Sequence, residues 1–104
     1  METIQIYELK DLDEEIQEEI IVKNLNKLIE LKLNLLAQTL KRGDITETEY
    51  YNRLGCSKRY AETADWFVAS CYHDKHKRDL NEEVIAITEM GLYSESGRYV
   101  GLNR

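Results

Sequence analysis

A chain of 104 residues, 42% hydrophobic and 33% charged, lies in the range of folded globular domains: long enough for one core, too short for two, and too apolar for disorder. Its net charge of −6 is unevenly spread, because the first twenty residues carry eight acids against the single base Lys10 and leave the remainder close to neutral. An acidic end on a near-neutral body argues against a general nucleic-acid charge and predicts a surface that attracts something basic.

Thr3–Leu9 alternates polar with apolar or aromatic residues and predicts a strand with Ile4 and Ile6 on its buried face. Asp11, followed three residues on by Glu14, has the pattern of a capped helix starting near Leu12, and Glu15, Glu18 and Glu19 match the positive end of its dipole. Two apolar stripes follow, out of phase with each other. Leu12, Ile16 and Ile20 form one; Val22, Leu25, Ile29, Leu33, Leu36 and Leu40 form the other. Either the helix breaks near Asn24 or Asn26, or a single helix meets different neighbours at its two ends. The second stripe is too short for a sustained coiled coil and reads as a bundle core.

Lys41-Arg42-Gly43-Asp44 ends this region. Thr46 and Glu49 form a second capping box, opening a short helix through about Leu54 that Gly55 closes. Ser57 is placed to cap a helix over about 58–73, with Tyr60, Ala64, Phe67, Val68 and Cys71 as its core stripe. Asp79–Glu82 offers a further cap, and Val84–Thr88 reads as a helix ended by Gly91 in preference to a strand. Leu92-Tyr93, a turn through Gly97, and Arg98–Leu102 form a hairpin. The expected fold is therefore α+β and mainly helical, one domain over 1–104, its small antiparallel sheet formed by the N-terminal strand and the C-terminal hairpin.

No segment approaches the roughly 20 apolar residues that span a bilayer, and Met1-Glu2-Thr3-Ile4 lacks the basic start of a secretory signal, so a cytoplasmic protein without membrane contact is expected. No phosphate loop, nucleophile elbow or assembled triad is present, and the carboxylates of residues 11–19 lie on a solvated helix start with no reason for shifted acidity; an enzyme is not expected. Cys71, His73 and His76, with Cys56, are zinc-ligand types, but Cys71 and His73 point apart on a helix, the CxxC pairing is missing, and Lys75, Lys77 and Arg78 repel a cation. Neither a metal nor another cofactor is expected. The same basic cluster is short for direct nucleic-acid binding in an acidic protein.

Trp66 falls off the core stripe of its helix. Either Tyr93 and Tyr99 of the hairpin cover it, or it is an exposed anchor rimmed by Arg59, Glu62, Ser70 and His73, and the polar flanks favour the anchor. The candidate partner-binding residues are thus Asp13, Glu14, Glu15, Glu18 and Glu19 on the acidic helix, with Trp66, Arg59 and His73.

The segment Ile4–Ile20, a strand with Tyr7 followed by Leu12-Asp13-Glu14-Glu15-Ile16-Gln17-Glu18, resembles the N-terminus of small uncharacterised phage and prophage proteins, in which a strand with an aromatic residue leads into an acidic-capped Leu-Ser-Glu-Glu helix. Asp13 stands where that pattern has serine, and Ile16 and Ile20 where it has alanines. The resemblance implies a phage-encoded protein that binds host proteins. Together these readings predict a non-enzymatic, protein-binding modulator or inhibitor whose partner has a basic surface, such as a host defence or nucleic-acid enzyme with a basic groove. The alternative is a small metal- or nucleic-acid-binding regulator, and homo-oligomerisation stays open.

Overall fold

Residues 14–41 contain neither glycine nor proline and are rich in Leu, Glu and Lys, so nothing interrupts a helix there. The computed structural model, which describes residues 5–102, accordingly has one unbroken helix, α1, over Glu14–Lys41. The other elements are β1 (Tyr7–Glu8), α2 (Glu47–Leu54), α3 (Lys58–Ala61), α4 (Asp65–Glu89), β2 (Gly91–Tyr93) and β3 (Tyr99–Leu102). The fold is α+β and mainly helical, with an antiparallel sheet in the order β1-β2-β3. The chain divides into two compact units, Met1–Leu25 with Asn81–Arg104, and Asn26–Leu80.

In the first unit the hairpin forms as expected. Gly97, at φ 88°, supplies the turn, and its amide donates to the Ser94 carbonyl at 2.9 Å. A side chain there would also stand 2.5 Å from Ile16 Cγ2, so glycine is required for space as well as for conformation. The N-terminal strand is shorter than its alternation predicts: Tyr7 pairs with Tyr93 and Glu8 with Leu92. Thr3 and Ile4 lie outside the described residues, and Ile6, expected to be buried, is 53% exposed. Leu9–Asp11 instead turns into a 3-10 helix closed by the Leu12 amide on the Leu9 carbonyl at 3.1 Å. This turn takes Asp11 out of the capping position and starts α1 at Glu14, two residues later than the capping box implied, with the Asp13 carbonyl accepting from the Gln17 amide at 2.9 Å. Leu9, Leu12, Ile20 and Tyr93 form the core of this unit, flanked by Tyr7 and Ile16.

Asn24 does not break α1. Its side-chain amide donates to Thr88 Oγ at 3.0 Å, Thr88 Oγ donates to the Val84 carbonyl at 2.6 Å, and the Tyr93 hydroxyl donates to the Thr88 carbonyl at 2.8 Å. Thr88 is fully buried and Tyr93 is 2% exposed. This chain of bonds satisfies polar groups that would otherwise cost about 1–3 kcal/mol each when buried. Val84–Thr88 is helical, as preferred from sequence.

In the second unit Leu28, Ile29, Leu36, Leu54 and Leu80 are buried. Ile29 and Leu36 belong to the expected second stripe of α1, but Val22, assigned to its start, is half exposed, and Leu28 was not included in it. Thr46 caps α2 as predicted, its hydroxyl accepting from the Glu49 amide at 3.1 Å, and Gly55 closes the helix at φ 85°. The expected helix over 58–73 is divided: α3 ends at Ala61 and α4 begins at Asp65. Ser57 makes no side-chain cap bond, and the ladder closes with the Thr63 amide on the Tyr60 carbonyl at 3.1 Å, a tighter three-residue step. Asp65 then favours a new helix start. The second helix expected from Asp79 is present but begins earlier: α4 is two helical segments joined across a kink at His76 (φ −110°, ψ 19°), and Asp79 lies inside the second of them.

Candidate partner-binding site

The break between α3 and α4 decides where the aromatic residues of this segment go. Phe67 is half-buried, with its ring centroid 6.1 Å from that of Tyr60 and 5.9 Å, edge to face, from that of Trp66. Tyr60, assigned to the core stripe, is exposed, and Trp66 is 73% exposed, so the indole is not a covered one. Tyr93 and Tyr99 pack on each other, with centroids 6.2 Å apart. Tryptophan left this open to water beside the Phe67 ring, which in turn meets Tyr60, is a large exposed apolar surface.

Of the residues expected around it, Arg59, Glu62 and Ser70 are exposed, but His73 is not part of an open rim. Its Nε2 is shut away from solvent with no hydrogen-bond partner among the described residues. Of the basic cluster, Lys75, Lys77 and Arg78 are exposed, and two members bond to the end of α2. A helix as short as α2 cannot satisfy its own last carbonyls. Lys75 Nζ donates to the Asn52 carbonyl, His76 Nε2 lies 2.7 Å from the Arg53 carbonyl, and the Gly55 amide donates to the Tyr51 carbonyl at 3.0 Å. Lys75 and His76 therefore hydrogen-bond the carbonyls at the end of α2, with Lys75 still exposed to water. Gly55 makes this approach feasible: a β-carbon there would stand 3.1 Å from the Cys71 carbonyl oxygen and 3.2 Å from Lys75 Cβ, in a left-handed conformation besides.

The same approach brings Cys56 to Cys71, which the sequence did not pair. Both are free thiols, and burial first, then the charge and hydrogen bond of Cys71, push the Cys56 thiol up. A thiol shifted in that direction is a weak nucleophile at neutral pH. Among the described residues no three His, Cys, Asp or Glu side chains stand together as metal ligands.

Asp13, Glu14, Glu15, Glu18 and Glu19 are all exposed at the start of α1, and none of them forms an ion pair within the described residues. They belong to the first unit and Trp66 to the second.

A half-open cleft of about 660 Å³ was not foreseen. Its apolar surface comes from Ile29 and Leu33 of α1, Leu54 of α2, Ala61 of α3, and Val68 and Ala69 of α4. Tyr50 and Tyr51, packed edge to face with centroids 5.0 Å apart, line it together with Glu30, Glu62 and Asp65. Burial, followed by the neighbouring Tyr51 and Cys56, pushes the Tyr50 phenol up and keeps it protonated. The consecutive tyrosines inside a capped short helix were the available signal; the carboxylates, spread over positions 30, 62 and 65, gave none.

No protein-family model matches this chain, and neither a curated protein nor a solved structure matches it. No helix among the described residues is long and apolar enough to cross a membrane.

Proposed function

We propose that this chain is a non-enzymatic protein-binding modulator, phage-encoded and cytoplasmic, that inhibits or redirects a host protein with a basic surface. The exposed indole of Trp66 on Phe67, with exposed Tyr60 on the same phenyl ring, carries the reading: tryptophan and tyrosine with neighbouring polar groups are the composition of interface anchors. The unpaired carboxylates at the start of α1 supply long-range attraction for a basic partner and accelerate its encounter. A host enzyme with a basic groove, of the kind that handles nucleic acid, has the complementary charge.

The test is affinity capture from bacterial lysate with three baits: the parent chain, Trp66→Ala, and a Glu15→Gln/Glu18→Gln/Glu19→Gln variant, followed by mass spectrometry and binding kinetics on the purified partner. A protein retained by the parent should be weakened by about 2 kcal/mol or more with Trp66→Ala. It should associate more slowly, and with less salt dependence, with the triple variant. Identical capture by all three baits, or capture by none, would overturn the reading.

A further inference from the structure

The cleft between α1, α2 and the α3–α4 segment has a chemical bias that its neighbours lack. Glu30, Glu62 and Asp65 line it and no Lys, Arg or His does. The adjoining clefts differ: one is lined by Lys58, Lys75 and Asp74, another by Lys32, Arg53 and His76. Glu30 and Asp65 have no ion-pair partner among the described residues, and Glu62 has only a weak electrostatic link to Lys58. Three carboxylates therefore stand beside an apolar floor and the paired rings of Tyr50 and Tyr51, with no base in the lining and Lys58 the one base linked to them, through Glu62, among the described residues.

This combination selects one kind of occupant. A metal ion would leave the floor and rings unused, and an apolar group would strand the carboxylates. A guanidinium has a planar face that stacks on tyrosine, a fork of donors that engages carboxylates in pairs, and a three-carbon stem that covers an aliphatic floor. A volume of about 660 Å³ accommodates more than one such side chain. We infer that the cleft receives arginine side chains from an extended basic segment of the partner protein. This inference rests on the protein-binding reading above and deepens it by naming what the partner inserts.

The probe is an acetylated, amidated tetra-arginine peptide, titrated by calorimetry and by chemical-shift mapping on the isotope-labelled full chain. Shifts should centre on Tyr50, Tyr51 and residues 61–69. Glu30→Gln/Glu62→Gln/Asp65→Asn should weaken binding at least about tenfold, the loss expected from removing charge-assisted hydrogen bonds. Glu15→Gln/Glu18→Gln/Glu19→Gln removes the same charge elsewhere and should weaken it less than about threefold if the site is local. Because Asp65 sits in the first turn of α4, the double variant Glu30→Gln/Glu62→Gln is read in place of the triple if the triple melts early.

Equal losses from the two triple variants would show general charge attraction and overturn the cleft. So would equal binding of the tetra-citrulline peptide, equal binding of free spermidine, or no saturable binding at roughly millimolar peptide. The two readings fail separately: a captured partner that depends on Trp66 but ignores the Glu30, Glu62 and Asp65 substitutions leaves the protein-binding function standing and removes the arginine cleft.

Discussion

Each of the two compact units combines satisfied polar groups with exposed ones, but they differ in how deep the satisfied groups lie. In the unit of residues 1–25 and 81–104, Asn24, Thr88 and Tyr93 are turned inward and satisfy one another around a core of Leu9, Leu12 and Ile20. In residues 26–80, the polar groups of α2's end are satisfied by Lys75 and His76, but Tyr60, Trp66 and the cleft carboxylates stay open to water. Burying a polar network serves a single specified packing, whereas leaving aromatic rings and unpaired charge exposed lowers nothing in the free protein. The first arrangement is explained by folding, and the second is the surface that the proposed partner would use.

The contrast would be broken first at Tyr93. Tyr93→Ala removes a ring with 2% exposure and should destabilise the protein by about 3–5 kcal/mol in chemical denaturation. Tyr93→Phe keeps the ring and should cost about 1–3 kcal/mol, because the Thr88 carbonyl loses its donor in a dry site. The phenol carries a pH signature as well. Burial, reinforced by Tyr99 and partly offset by the Asn24 hydrogen bond, raises the Tyr93 pKa above its ordinary value, so the fold favours the protonated form. That contribution is complete below about pH 10, the unfolded value, and is lost as pH rises through the folded one. The parent should therefore lose stability above about pH 10 more steeply than Tyr93→Phe. Parallel curves for the two proteins would show that Tyr93 is not the buried group it is taken to be.

The open unit should respond most where its short helices are held. Thr46→Ala removes the hydroxyl that accepts from the Glu49 amide and should cost about 1 kcal/mol by thermal or chemical denaturation. A cost indistinguishable from zero would mean that α2 is fixed wholly by the lysine and histidine at its other end.

Much of this contrast was legible in the residues, and the parts that were not share a cause. Capping boxes, glycine turns and the phase of the hairpin are local, so Thr46, Gly55 and Gly97 stand where their neighbours predict. The late start of α1 depends on a 3-10 turn at Leu9–Asp11, which competes with the Asp11 cap and is decided by burying Leu9 and Leu12 together. Asn24 looked like a helix breaker because its partner, Thr88, is 64 residues away. Likewise the acidic segment and Trp66 could be singled out one residue at a time, but the cleft is a property of four helices and has no contiguous pattern. What sequence leaves unread is long-range pairing between side chains, because no local propensity records it.

The smallest stability change is expected at Trp66, and its smallness is the informative part. The indole is 73% exposed, and its one ring contact among the described residues is edge to face with Phe67. Truncating a fully buried tryptophan costs about 3–5 kcal/mol; truncating one in this position should stay within about 1 kcal/mol, because little area returns to water and no cavity is left. As Trp66 is the single tryptophan, its fluorescence reports this site alone. The folded chain should emit at the long wavelengths of a solvated indole, be quenched by acrylamide nearly as readily as the unfolded chain, and shift to shorter wavelength when the partner covers it. A blue, quencher-resistant emission in the free monomer, or a Trp66→Ala protein melting far below the parent, would place Trp66 in the core and remove the anchor on which the contrast between the two units depends.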